Sequence, residues 1–182
     1  PTCITHHSPA TDAAVNYPLG AETDPDASGA GDQGVVVGYA TDETPEMLPL
    51  PVVLAHRLTS RLTWARINDE QKRFGPDGKA MAIVEYEDER PVRVARIVVS
   101  FQHAPGVEPA ELAEIVWQDV ILSALKGMPY DDSLELILNP GGRFVLGGPD
   151  ADTGLTGRKL AVDGYGPFVP TGGGAFSGKD PT

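Results

Sequence analysis

The sequence predicts an α+β domain, an antiparallel or mixed sheet with helices packed on one face, and three stretches carry that prediction. Leu50, Leu54, Leu58, Leu62 and Ala65 repeat at fourfold spacing, the pattern of a helix with one apolar side. Two β-favouring runs, Ala80 to Glu87 and Pro91 to Phe101, flank the polar turn Glu87-Asp88-Glu89-Arg90 as the arms of a hairpin. A second apolar stripe, Ala113, Val116, Trp117, Val120, Ile121 and Ala124, precedes the alternating Leu134, Leu136 and Leu138. With a short strand at Val35 to Ala40, the order is strand, helix, hairpin, helix, strand, which packs as helices against one sheet.

Each element has local reasons. Residues 1–31 are rich in Pro, Gly, Asp and Ser without periodicity, so a loop or mobile segment is expected. Thr41 to Pro45 turns the chain into the first helix, which is expected to begin near Pro49 or Pro51 because proline is tolerated in a first turn. His56, Arg57, Arg61 and Arg66 lie off the leucine stripe and are expected to face solvent. Gly75-Pro76-Asp77-Gly78-Lys79 has turn chemistry and leaves Lys79 at a strand edge, where a cation can point into a cleft. Pro109 suits the first turn of the second helix, Gly127 its end, and Asn139-Pro140-Gly141-Gly142 a turn after the last strand.

Charge narrows the function classes. With 26 acids against 14 bases the net charge is −12, which repels nucleic acid and anionic bilayers and points to a small partner. Residues 1–56 hold no Lys or Arg, whereas 12 of the 21 glycines fall between Gly141 and Thr182, around Arg143, Arg158, Lys159 and Lys179. Glycine lets backbone N–H groups approach a ligand and the cations supply counter-charge, so this stretch has the character of an anion site. No run approaches the roughly 20 apolar residues of a membrane span, and the expected location is the cytoplasm. The one cysteine, Cys3, allows no internal disulfide.

Several short motifs fail on context. Gly29-Ala-Gly31-Asp-Gln-Gly34 has dinucleotide-fingerprint spacing but follows no strand and opens no helix; Asp32 remains as a carboxylate held in a glycine turn. Gly173 to Lys179 has phosphate-loop spacing, yet Asp180 replaces the Ser or Thr that would reach magnesium and Pro181 blocks the helix. Asp150-Ala-Asp152 lacks the remaining ligands of a calcium loop, and His6, His7, His56 and His103 have no metal-ligand spacing.

Taken together, GAGDQG with VGYATDETPE, GPDGK before a strand, NPGGRFVLGGP, DTGLTGRK and GGGAFSGKDP resemble the S-adenosylmethionine synthetase (methionine adenosyltransferase) family across nearly the whole chain. The resemblance implies an enzyme about twice this length, with three similar α+β repeats. On that basis residues 1–31 correspond to the end of the first region and its gating loop, 32–149 to the central domain, and 150–182 to the start of the third. The implied reaction is attack by the methionine sulfur on the 5′ carbon of ATP, which expels triphosphate that is then cleaved to pyrophosphate and phosphate. A thioether has no proton to lose, so catalysis rests on alignment and on stabilising the leaving charge.

The family pattern implies that Lys79, Arg158, Lys159 and Lys179 contact the polyphosphate as catalytic cations. It adds Asp77, Gly78, Arg143 and Ala175 to the ATP site and sets Phe144 against the adenine. Asp152 serves both ATP and the methionine amino group, and Asp32 and His7 face methionine. Mg2+ and K+ are the implied cofactors, with ligands mostly outside this sequence, and a homo-oligomer (dimer of dimers) is the implied assembly. His7, Thr171 and Gly164-Tyr165-Gly166-Pro167 depart from the pattern, which usually has Gln, His and Thr-Tyr-Gly-Gly there. The alternative is a non-catalytic ATP-binding or interaction module that pairs with a full-length subunit.

Overall fold

The computed structural model describes residues 2–7, 35–154 and 157–170. They fall into two units, Asp42–Gly154 and the described parts of Pro1–Thr41 with Leu155–Thr182.

The Asp42–Gly154 unit is a mixed α+β structure built on the leucine stripe. Helix α1 spans Leu50–Asn68, with Pro51 in its first turn and Leu54, Leu58 and Leu62 buried. Glu43 caps it from upstream. Its Oε2 accepts the Leu50 N–H at 3.0 Å and the Tyr86 hydroxyl at 2.6 Å, placing an anion at the positive end of the helix and tying that end to the sheet.

Strands β3 (Phe74–Glu87) and β4 (Arg90–His103) form the expected hairpin, each longer than the β-rich runs suggest. Asp88 and Glu89 close it with φ of 47° and 63°, the primed two-residue turn whose twist matches the strands. The Gly75 to Lys79 turn lies inside β3 instead of before it. Between the pairs Phe74 with His103 and Gly78 with Phe101, β3 takes two more steps than β4, so the loop bulges out of a continuing strand.

Val94, Ile97, Val99 and Phe101 of β4 are buried against the helices. The neighbouring Met81 and Ile83 of β3 remain exposed on the other face. Phe74 stacks on Phe101 at 4.6 Å. The chain then enters α2 (Pro109–Ile115), widens into π-helical turns over Val116–Ile121, and finishes in α3 (Leu122–Ala124). The wider turns allow Val116, Val120, Ile121 and Ala124 all to reach the core. Gly127, at φ 80°, ends the helical run. Strand β5 (Glu135–Leu138) lies parallel to β4, so the helical segment is a crossover and the sheet is mixed, in the order β3-β4-β5.

Two arginines expected to be solvated instead stitch helix to helix. Arg57 pairs with Glu46 at 2.9 Å and donates to the Lys126 carbonyl. Arg61 donates twice to the Asp119 carbonyl and lies 3.9 Å over the Trp64 ring. Their long stems carry the charge across the helix–helix seam, a reach that residue spacing alone does not reveal.

In the second unit, β1 (Thr2–His7) pairs antiparallel with β2 (Val35–Ala40), Thr2 opposite Ala40 and His7 opposite Val35. This corrects the loop expected at the start of residues 1–31; the rest of that stretch lies outside the described residues. A six-residue strand becomes a strand by finding a partner, and its partner is more than twenty residues away in sequence. Helix α4 (Leu160–Asp163) is a single turn, closed by the Gly164 N–H on the Leu160 carbonyl, and the Tyr165 ring lies 6.0 Å from that of Tyr39.

Candidate functional site

Within the Asp42–Gly154 unit the predicted site residues gather where β3 bulges and β4 ends. Asn139, at φ 44°, receives the Phe101 N–H on its side-chain oxygen at 2.8 Å and extends the parallel ladder one step past β5. The following residues then run beside the end of β4. The His103 N–H donates to the Phe144 carbonyl at 2.9 Å, and the Phe144 N–H donates back to His103 Nε2 at 3.3 Å. His103 is buried and serves as a structural bracket for Phe144, with Nδ1 3.0 Å from the Ala104 carbonyl.

The bulged loop is joined to that segment. Asp77 Oδ2 accepts the Gly148 N–H at 2.6 Å, and the Asp77 N–H donates to Gln102 Oε1 at 3.2 Å. The Gly148 carbonyl in turn accepts the Ala151 and Asp152 N–H groups, while Asp152 Oδ1 takes the Gly154 N–H. Gly148, at φ 71°, therefore links Asp77 to Asp152 through its own peptide groups. Leu62 of α1 supports the loop from below: a Cβ on Gly78 would lie 3.1 Å from its Cδ1.

Lys79 stands opposite Ser100 in the ladder and is exposed; among the described residues no carboxylate pairs with it. Arg143 is exposed and donates to the Pro105 carbonyl at 2.5 Å. The geometry thus brings together Asp77, Gly78, Lys79, Phe144 and Asp152 on one connected frame. Arg158 and Lys159, both exposed, belong to the other unit, where Lys159 Nζ is 3.4 Å from the Arg158 carbonyl. His7 is the last residue of β1. Asp32, Ala175 and Lys179 lie outside the described residues.

Sequence reasoning did not single out Gln102, His103, Asn139 or Gly148 as the frame of this site. The signal for Gln102 was the glycine pattern itself. Gly75 and Gly147 lack side chains because the Gln102 amide occupies the space where a Cβ would stand. A hollow of about 90 Å³ behind the loop, between Thr59, Thr63 and Arg66 of α1 and Gly75, Pro76 and Gly78, has room for a few waters and is too small for a nucleotide. A larger one of about 310 Å³ is lined by residues including Glu46, His56, Arg57 and Ser123, none of them a predicted site residue. Among the described residues no group of three or more His, Cys, Asp or Glu converges.

The fold and the site define an α+β domain whose hairpin carries a braced glycine loop tipped by an exposed lysine. Residues 27–144 match the family described as S-adenosylmethionine synthetase, central domain, and residues 146–182 match S-adenosylmethionine synthetase, C-terminal domain. The chain is 51% identical over 187 aligned residues to an S-adenosylmethionine synthase of Thermus thermophilus, covering all of this chain and 47% of that one. It is 49% identical over 188 residues to the same enzyme of Pseudothermotoga lettingae, covering 48% of it, and 50% identical over 185 to that of Kosmotoga olearia, covering 47%. The chain belongs to the S-adenosylmethionine synthetase family. It spans about half the length of the curated relatives it matches.

Proposed function

We propose that this chain is part of a methionine adenosyltransferase, which makes S-adenosylmethionine from ATP and L-methionine with release of phosphate and pyrophosphate. The sulfur–carbon bond forms as the C5′–oxygen bond breaks, and the electron pair of that bond leaves on the triphosphate. No proton moves in this step, so the residues have two tasks: hold sulfur and carbon in line, and stabilise the departing charge.

The observation that carries the reading is Lys79, exposed on a rigidly tied loop with no carboxylate beside it among the described residues. Its assigned partner is the polyphosphate, shared with Arg158, Lys159 and Lys179. Phe144 and Arg143 take the adenosine end with Ala175, Asp152 serves both ATP and the methionine amino group, and Asp32 and His7 take methionine; Asp77 and Gly78 present Lys79. An effective dielectric near 20 makes one close pair of unit charges worth roughly 4 kcal/mol before desolvation, enough to matter for a leaving group of this charge.

The proposed division is 1–31, 32–149 and 150–182, within a protein of three similar repeats; the two family matches meet between residues 144 and 146, close to the second of these bounds. The homo-oligomer is supported by the outer sheet face, where exposed Met81 and Ile83 neighbour Val98 and Ile137 and, among the described residues of the Asp42–Gly154 unit, no helix covers them. Mg2+ and K+ are carried by family membership alone. The proposed location is the cytoplasm; no helix among the described residues is long and apolar enough to cross a membrane.

The test is to supply the full-length protein with ATP and methionine and to measure S-adenosylmethionine by chromatography and pyrophosphate in parallel. Matched formation of both products is expected. Binding of a non-hydrolysable ATP analogue without either product would replace this reading with the non-catalytic module.

A further inference from the structure

The Gln102 side chain does more than fill space. Its amide is inserted between two glycines: a Cβ on Gly75 would lie 2.3 Å from Gln102 Cδ, and one on Gly147 would lie 2.6 Å from the same atom. Those separations exclude any side chain at either position while Gln102 keeps its place. From that slot Oε1 accepts the Asp77 N–H at 3.2 Å and Nε2 donates to the Val145 carbonyl at 3.0 Å. Asp77 then closes the ring by accepting the Gly148 N–H at 2.6 Å. Three hydrogen bonds and a tight packing contact thus join the loop that carries Lys79 to the segment that carries Phe144.

We propose that Gln102 is a positioning residue for adenosyl transfer, a latch that sets Lys79 and Phe144 at a fixed separation. This rests on the assignment of those two residues to opposite ends of ATP; Gln102 itself touches neither end. The slot demands this amino acid. Its head must be flat enough to lie between two Cα atoms and must present one acceptor and one donor. Glu would turn an acceptor toward the Val145 carbonyl, Asn is one methylene short, and Met fills the slot without either hydrogen bond.

A latch of this kind acts on the transition state, because leaving-group charge develops only as the C5′–oxygen bond breaks. A misplacement of about 1 Å can cost about 100-fold in rate. In the full-length protein, Gln102→Met is expected to lower kcat by about 10-fold or more while KM for ATP changes less than about threefold. Gly147→Ala provides the independent arm. Gly147 has φ −151°, ordinary extended backbone, and the three atoms nearest the added methyl all belong to the Gln102 amide. It should lower kcat in the parent and cost nothing further once Gln102 is already Ala.

Amide hydrogen exchange separates this inference from the proposed function. The Asp77 and Gly148 amides should lose protection in Gln102→Met while that of Val99 in the core is retained. Unchanged protection at Asp77 and Gly148 overturns the latch whatever the activity. Parent-like kcat in both single variants, or independent multiplicative losses in the double variant, overturns its role in transfer. Absence of S-adenosylmethionine formation by the parent overturns the assignment of the reaction instead.

Discussion

Asp69→Asn tests how the site's foundation is held. Asp69 follows α1, and its side chain is only 3% exposed. Oδ1 accepts Arg73 Nε at 3.0 Å and Nη2 at 2.7 Å, and Oδ2 accepts the Arg73 backbone N–H at 2.5 Å. Arg73 also reaches Glu111 at 2.7 Å, and its carbonyl accepts the Ala104 N–H, so the turn from α1 to β3 is fastened to the chain on both sides of β4's exit. Breaking a buried pair from one side costs about 3–5 kcal/mol, and Arg73, partly exposed and still bonded to Glu111, brings the expectation down to about 2–3 kcal/mol. The pH dependence has a definite sign. Burial pushes the Asp69 carboxyl up, but the Arg73 guanidinium and backbone bonds outweigh it and hold it below its ordinary value. The pair's stabilisation is therefore fully present above about pH 4, the unfolded value, and is lost as pH falls through the depressed folded value. Urea unfolding of parent and variant at pH 7 and again near pH 3 measures both effects. A cost under about 0.5 kcal/mol at pH 7, or one that does not shrink in acid, would refute the reasoning.

Three further outcomes follow from the same structure. Lys79→Ala in the full-length protein should lower kcat by about 100-fold or more, with fold and thermal midpoint unchanged; parent-like turnover in a steady-state assay would remove Lys79 from the polyphosphate site. Leu58→Ala removes a fully buried side chain from the centre of α1 and should cost about 3 kcal/mol in urea unfolding. Glu89→Gly relieves a positive φ of 63° in the hairpin turn and should stabilise by about 1 kcal/mol, read as a raised urea midpoint.

The fold was legible where short-range pattern and long-range packing agree. The leucine stripe of α1 is buried at Leu54, Leu58 and Leu62 because fourfold spacing and the sheet's apolar face ask for the same residues. Asp88 and Glu89 read as a turn because charged residues interrupt the two β-favouring runs, and Asp tolerates the left-handed backbone they need. What pattern could not supply was pairing between distant residues. Thr2–His7 has no strand signal strong enough to stand without β2, and the parallel setting of β5 depends on the crossover as a whole. The π-helical turns of Val116–Ile121 leave the stripe's composition unchanged and alter only its pitch. At the site, motif resemblance pointed to Asp77, Lys79 and Phe144, but Gln102 and His103 fall just past the predicted strand Pro91 to Phe101, where the sequence reads as a connection to the second helix. Their importance is a matter of three-dimensional neighbours.

The glycines illustrate why residue type and residue task must be argued separately. Their density after Gly141 suggests bare backbone awaiting an anion, and that remains the proposal for Gly172 to Gly174, beyond the described residues. Gly147 and Gly148 have internal occupations: one makes room for Gln102, and the other gives its N–H to Asp77. An N–H already bonded to a carboxylate is a poor donor for phosphate, so under the proposed function side chains such as Lys79 and Arg143, and not the Gly148 N–H, would meet ATP. The frame's contribution is rigidity. For a reaction that transfers no proton and needs its nucleophile, carbon and leaving group in line, the energetic return on rigidity is large, because disorder in any of the three lowers the fraction of bound complexes able to react. That is why two glycines and one glutamine, none assigned to touch substrate, matter to the proposed reaction.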